Sequence, residues 1–326
     1  MKNFLLFPLF LLLFTACEKV AFQPETEQSN LALFDEFSAL FRTKYAMFDQ
    51  KGVDWVTLSD SVRATISDAT TETELGAKMG AMVKRLHDGH TSLKTQDSLY
   101  VFDVLAGYPL NFDTARIGDG LDLTVVGEGA GYRRIGDVGY LFIESFNSFT
   151  DEDVEAALAE LADTRGLIID VRLNGGGDPE VAAELAGRFT ATAYGAGVES
   201  FKTGPEEDAF SPSAIQLRPT GGTTYLDKKV AILQARPSYS ATTTLIYLTD
   251  PNPNVRTFGT RSGGGTGSVA SGYLSNGWVW NMSVSDYTDA QGRKFDDGIE
   301  ADTPVEDDLT TANDEVIDAA VAWIQS

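Results

Sequence analysis

One cysteine, two histidines and 25 basic residues are what this 326-residue chain has little of. A lone cysteine forms no intramolecular disulfide, and with two histidines beside it a Cys/His zinc cage cannot be assembled. No metal or other cofactor is expected. Lys and Arg are outnumbered by 48 acidic residues, leaving a formal net charge of −23. Nucleic-acid binding depends on cations that neutralise phosphates, so nucleic acid is excluded as a partner, and anionic membrane surfaces are disfavoured on the same ground. Internal repeats of solenoid type are absent as well. What the chain does have is material for a core, 43% hydrophobic residues and 10% aromatic. That composition excludes wholesale disorder and predicts one large domain or two of unequal size.

The cysteine's position gives it a use. Lys2 forms a short positive start, and Phe4 to Phe14 is an apolar run broken only by Pro8. The run falls short of the ~20 residues that span a bilayer but fits the hydrophobic region of a secretory signal. It ends in Phe14-Thr15-Ala16-Cys17, which resembles the lipobox of bacterial lipoproteins. The resemblance implies a signal over residues 1–16 that is removed, leaving Cys17 as a lipidated N-terminus. The alternative is a plain secretory signal with a chance cysteine. Residues 17–30, polar and holding Pro24, read as a tether. The expected location is the cell envelope, on the outer membrane and facing the periplasm or the surface, with membrane attachment through lipid rather than charge.

Residues 31–95 read as a helical subdomain. Leu33, Phe34, Phe37, Leu40 and Phe41 recur at helical spacing, as do Leu75, Met79, Met82, Val83 and Leu86, and the run Thr70 to Glu74 has the composition of a helix start. Residues 96–137 read as a connector of short strands and turns. From 138 to 326 strands and helices alternate, predicting an α/β core with parallel connections. Strands are expected at Val138 to Ile143, Gly166 to Val171, Val230 to Gln234 and Val255 to Phe258. Helices are expected at Asp151 to Ala162, Pro179 to Phe189, Ser240 to Leu248 and Thr310 to Ile324. The stretch Gly195 to Tyr225, rich in Gly, Pro, Ser and Thr, reads as a long surface excursion and candidate substrate-side flap.

Three features of this layout carry chemistry. The run Asp170 to Gly177 (DVRLNGGG) lies between a buried strand and a helix, where glycines expose amide groups in the positive field of a helix N-terminus. Such a nest binds an anion or stabilises an oxyanion, or it is simply a sharp turn; without a Lys-Ser/Thr after the glycines it is not a P-loop. Arg236 to Thr243 (RPSYSATT) is a second strand-to-helix junction, where Ser238 and Ser240 are either caps or a nucleophile with built-in donors. Third, both histidines fall in Leu86 to Thr91 (LHDGHT). His87 keeps helical spacing from Val83 and reads as packed or solvated, whereas His90, released by Gly89, can reach into a cleft as a base.

Together with Val138 to Ile143, Gly259 to Gly265 (GTRSGGG) and Asp297 to Asp302 (DGIEAD), these segments resemble, in order, the S41 serine peptidases, the tail-specific and tricorn-core group. The resemblance covers about residues 31–324. It implies a ClpP/crotonase-like spiral ββα core with an N-terminal helical subdomain, and a serine-type hydrolase acting on peptides or unfolded protein segments. It further implies Ser240 as nucleophile, His90 as general base, amides of Ala241 and of Gly175 or Gly176 as the oxyanion hole, and a supporting carboxylate among Asp296, Asp297 and Glu300. The chain departs from the family in three places: the Gly-rich stretch has no Lys, which disfavours a Ser/Lys pair, Thr243 stands where Glu is frequent, and Gly89 stands where the tricorn branch has Ser. About 45 residues separate His90 from Val138, too few for a PDZ module of ~90 residues. Two other classes remain open, a non-catalytic lipoprotein of the same fold that binds a peptide or apolar ligand, and an esterase using the same Ser and His.

Overall fold

A computed structural model describes residues 29–110, 112–117 and 121–326. The signal, Cys17 and nearly all of the tether lie outside the described residues.

The chain begins with four helices, α1 (Asn30–Lys44), α2 (Phe48–Lys51), α3 (Trp55–Arg63) and α4 (Glu72–Arg85). The predicted helix start at Thr70 to Glu74 is a capping box: the Thr71 side chain takes the Glu74 N–H and the Glu74 side chain takes the Thr71 N–H. Phe34, Phe37 and Phe41 form one face of α1 and pack with Trp55 and with Leu75, Met79, Met82 and Val83 of α4. These helices do not close their own core. Leu274, Trp278, Trp280 and Met282 join the same cluster. They are brought by a four-stranded antiparallel sheet in which the pair β1 (Ser92–Lys94) and β2 (Leu99–Val101) joins, through β1, to β12 (Val279–Ser283) of a second pair from far downstream, β11 (Val269–Tyr273) and β12. Four helices leave one apolar side uncovered, and the sheet covers it.

The central layer is a seven-stranded sheet. It is built from β3 (Thr124–Val125), β4 (Ala130–Ile135), β5 (Val138–Ile143), β6 (Gly166–Asp170), β9 (Lys229–Gln234), β10 (Val255–Gly259) and β14 (Thr303–Pro304), in the order β14-β10-β9-β6-β5-β4-β3. The strands from β5 to β14 run parallel, and β4 and β3 are antiparallel additions. Its side chains alternate between two cores as a period of two requires. Leu141, Leu167, Ile169, Val230 and Ile232 face α5 (Asp151–Glu160), α6 (Pro179–Gly187) and α7 (Ala241–Thr249). Tyr140, Phe142, Ile168, Ala231 and Leu233 face α8 (Glu315–Gln325).

The segment expected as a surface flap is instead a β-hairpin, β7 (Tyr194–Lys202) with β8 (Phe210–Leu217), zipped onto β13 (Ser285–Asp289) in a three-stranded antiparallel sheet. Its Ser, Thr and Gly content hides the strand pattern because most of β8 faces solvent. Its third strand lies more than eighty residues away, beyond any local signal. The parallel strands β6 and β9 both end at the same edge, so the loops that follow them meet, as expected of ligand sites in such sheets.

Candidate active site

Asn174, fully buried in the loop after β6, joins the two loops. Its Oδ1 accepts the Gly176 N–H (2.8 Å), its backbone oxygen accepts the Tyr239 N–H (3.1 Å) and the Thr242 hydroxyl (3.0 Å), and its Nδ2 donates to Ile143 O (3.2 Å). Gly176 (φ +112°) then presses on the second loop so closely that a Cβ there would stand 2.6 Å from Ser240 Cβ and 3.1 Å from Ala241 N. Only glycine fits that approach.

The sequence left Ser238 and Ser240 open as caps or nucleophile, and the structure separates them. Ser238 is buried, with Oγ donating to Val171 O (2.8 Å) and accepting the Ala235 N–H (3.0 Å), so its hydroxyl holds the turn. Ser240 occupies the N-cap position of α7 but makes no capping bond, and its backbone has φ +57° and ψ −120°. A non-glycine residue there is strained and persists because its surroundings hold it. The Ser240 N–H donates to Gly264 O (2.8 Å), which also accepts the Thr243 hydroxyl (2.7 Å). The threonine that replaces the family's frequent Glu thus ties α7 to the Gly-rich loop.

The strained serine points its Oγ at His90, with Nε2 3.0 Å away. His90 arrives from the turn after α4, where Asp88 accepts its backbone N–H on Oδ1 (2.8 Å) and Tyr239 packs edge-on against the imidazole at 4.9 Å. Burial pushes the imidazole below its ordinary value, with the Asp88 charge opposing, so the ring is neutral at pH 7. With its proton on Nδ1, Nε2 accepts from the serine hydroxyl. His90 Nδ1 is itself buried and has no protein partner among the described residues. Gly89 explains the departure from the tricorn branch: a Cβ there would meet Val104 Cγ1 at 2.6 Å and the Tyr239 hydroxyl at 2.9 Å. His87 is exposed, with φ +51° and its ring 4.8 Å from Phe102, outside the site.

The other predicted residues divide. Gly176 spends its amide on Asn174, whereas the amides of Gly175 and Ala241 have no protein acceptor among the described residues. Of the three carboxylates, Glu300 is a surface group paired with Arg261, and Asp297 is 61% exposed and paired with Lys51 (2.6 Å). Asp296 is buried, with Lys51 Nζ at 2.5 Å from Oδ2. None of the three bonds to the His90 ring among the described residues. Sequence reasoning missed Asn174, Asp88, Tyr239 and Lys51. Only Asp88, next to the histidines, carried a local signal. No group of three or more potential metal ligands occurs among the described residues.

The sequence profile of peptidase family S41 matches residues 137–305. A candidate peptidase from Parabacteroides merdae has a crystal structure that superposes with a TM-score of 0.83 at 30% identity, covering 91% of this chain and 97% of that one. Mature CPAF in complex with lactacystin superposes at 0.63 with 14% identity, covering 91% and 97%, and a lipoprotein from Streptococcus agalactiae at 0.59 with 16% identity, covering 91% and 96%. The last two share the fold alone. No curated protein matches the chain. With its profile match over half the sequence and a 30% identical relative of nearly equal extent, the chain belongs to peptidase family S41 and is a serine-type peptidase with an α/β fold.

Proposed function

We propose that the protein is a lipid-anchored endopeptidase of the cell envelope that cleaves peptides or unfolded protein segments through an acyl-enzyme on Ser240, with His90 as general base. The observation that carries this reading is the 3.0 Å approach of His90 Nε2 to a serine hydroxyl held at positive φ and free of any capping bond. Ser240 Oγ attacks the scissile carbonyl carbon as its proton passes to His90 Nε2. The carbonyl oxygen becomes an oxyanion, for which the free amides of Gly175 and Ala241 are the donors. His90 returns the proton to the leaving amine as the C–N bond breaks. Water then attacks the ester, giving its proton to His90, and Ser240 departs with that proton restored.

Substrate contact is supported by the connector that enters the site. Val104 packs toward Gly89, its carbonyl accepts Arg236 Nε (2.8 Å), and the Arg236 guanidinium lies 4.0 Å from the Tyr108 ring centroid. Leu105, Tyr108 and Leu110 of this segment are exposed, an apolar surface offered to a peptide. Anchoring rests on Cys17 and the preceding signal-like run. No described helix is long and apolar enough to cross a membrane, and a body of net charge −23 has no electrostatic attraction to anionic lipid.

A fluorophosphonate probe tests the catalytic half. Labelling of the parent that vanishes in Ser240→Ala and drops about 10²- to 10⁴-fold in His90→Ala is expected, with His87→Ala near parental rate. Absence of Ser240-dependent labelling leaves the non-catalytic binder as the reading. Cys17→Ser should move the protein from the membrane fraction to the soluble one, and retention in the membrane refutes the lipid anchor.

A further inference from the structure

Nucleophile and base each lean on a buried carboxylate. Asp88 accepts the His90 N–H on Oδ1 and the hydroxyls of Thr91 (2.7 Å) and Ser283 (2.8 Å) on Oδ2. Asp296 accepts the Thr266 N–H on Oδ1 (3.1 Å), and its backbone oxygen accepts the Gly265 N–H (2.9 Å). The neighbouring Gly264 is the residue whose carbonyl holds Ser240 N and the Thr243 hydroxyl, so Asp296 reaches the nucleophile through the loop of residues 263–266.

Asp88 and Asp296 are 1% and 4% exposed, and Asp296 lies in the field of the Asp88 charge. Burial and the Asp88 charge push the Asp296 carboxyl up to about 6, against the pull of Lys51. Two carboxylates buried in one another's field do not both ionise without a cation. The groups facing Asp296 are Asp88, the exposed Asp297 and the neutral phenols of Tyr45 and Tyr239, which are themselves held well above their ordinary values by burial and these charges. Asp286 lies within the field of Lys51 but is paired with Lys294. The cation is therefore Lys51, the last residue of α2, whose side chain is 3% exposed. Burial opposes its charge, but Asp296 prevails and keeps it above its ordinary value, so it does not serve as a proton acceptor at neutral pH.

We propose that Lys51 is a positioning residue for the peptidase reaction: a cation lent by the helical subdomain that pairs with the buried Asp296 and so fixes the loop under Ser240. The inference rests on the reading of Ser240 and His90 as nucleophile and base. It also gives the N-terminal helices a task in catalysis, through a lysine whose ion pairs with Asp296 and Asp297 join α2 to the segment after β13.

The test is the pH dependence of the fluorophosphonate labelling rate. In K51M the acid limb moves toward neutral pH as Asp296 protonates more readily, and a displacement of about one unit lowers labelling near the acid limb about tenfold. K51R restores the limb. D296N titrates with one proton where the parent titrates with two, and adding K51M to D296N moves the limb no further. That comparison also stands in if K51M alone fails to fold. A parental profile in K51M, an equal loss at all pH values in both K51M and K51R, or two-proton titration in D296N overturns the inference. Loss of Ser240-dependent labelling in the parent itself would instead refute the underlying assignment, so the two failures are distinguishable.

Discussion

Ser240 is held in an unfavourable backbone conformation by two close approaches: Gly264 O on its amide and Gly176 against its Cβ. Strain at a functional residue is stable only where neighbours over-determine it, and here replacing one Gly176 Hα by a methyl group would remove the room. Gly176→Ala meets Ser240 Cβ at 2.6 Å and Tyr239 O at 2.9 Å from a φ of +112°, so it should cost about 1–3 kcal/mol in chemical denaturation and lower the labelling rate more than tenfold, roughly, by shifting the nucleophile. Gly175, two residues before Gly177, has open space where a Cβ would stand, and Gly175→Ala should leave the denaturation midpoint unchanged. The sign of the pH dependence follows from His90. A base must be unprotonated to accept, and burial lowers its pKa, so labelling should persist as pH falls through the ordinary histidine value and decline only below it. A decline centred above about 6.5, the ordinary histidine value, would contradict this environment.

At the scale of elements, each side of the site is carried by a loop leaving a parallel strand or a helix end, and the connector between β2 and β3 brings exposed apolar side chains beside it. Tyr108 is 50% exposed while its ring is fixed against Arg236, four residues before the nucleophile in sequence. A rigid aromatic presented in this way adds contact area to a bound peptide at small entropic cost. Tyr108→Ser should raise KM for peptides bearing bulky apolar residues about fivefold or more, the equivalent of burying part of one such side chain, while kcat and fluorophosphonate labelling stay near parental values. Equal KM for apolar and polar peptide series in parent and variant would remove the connector from substrate binding. The hairpin β7–β8 has the opposite character. Its strand β7 pairs with β13 through the Ser285 to Asp289 register and β8 is the outer edge, so the segment is part of a three-stranded sheet rather than an irregular excursion. Beyond β7, its tip residues Pro205, Glu206 and Glu207 face Tyr45, Phe48 and Trp55 across a groove of about 720 Å³.

The whole molecule is held together by contacts between segments distant in sequence. Arg172, at the end of β6, is 1% exposed and is bonded to Asp170 (2.7 Å) and to Asp314 (2.7 Å), the residue that caps α8. Tyr140 donates to the same Asp170 (2.7 Å). Arg172→Met would leave Asp170 buried and short of its counter-charge, which costs about 3–5 kcal/mol. Urea unfolding should register that loss, and an unchanged midpoint would show that the network contributes nothing net. The four central parallel strands and the main helices were legible in the sequence because the apolar runs Val138 to Ile143 and Val230 to Gln234, and helical spacing in α1 and α4, are local properties of the chain, whereas the order of the strands in the sheet was not. The positions of His90 and Ser240 were legible too, since each sits at a turn announced by its own neighbours.

The sequence by itself determined the main helices and the four central parallel strands, that two histidines were the available bases, and that a serine at a strand-to-helix junction was a candidate nucleophile. Tertiary structure decided which serine faces His90, that Gly176 is spent on Asn174, that Asp297 and Glu300 stand at the surface, and that Lys51 comes to Asp296 from a distant part of the chain. It also decided that the supposed flap is a paired hairpin and that the helical region shares its core with β11 and β12. The physical reason is the same in each case. Periodicity and turn chemistry act between neighbours along the chain, whereas burial, charge pairing and strand pairing depend on which distant surfaces meet, and no local pattern records that.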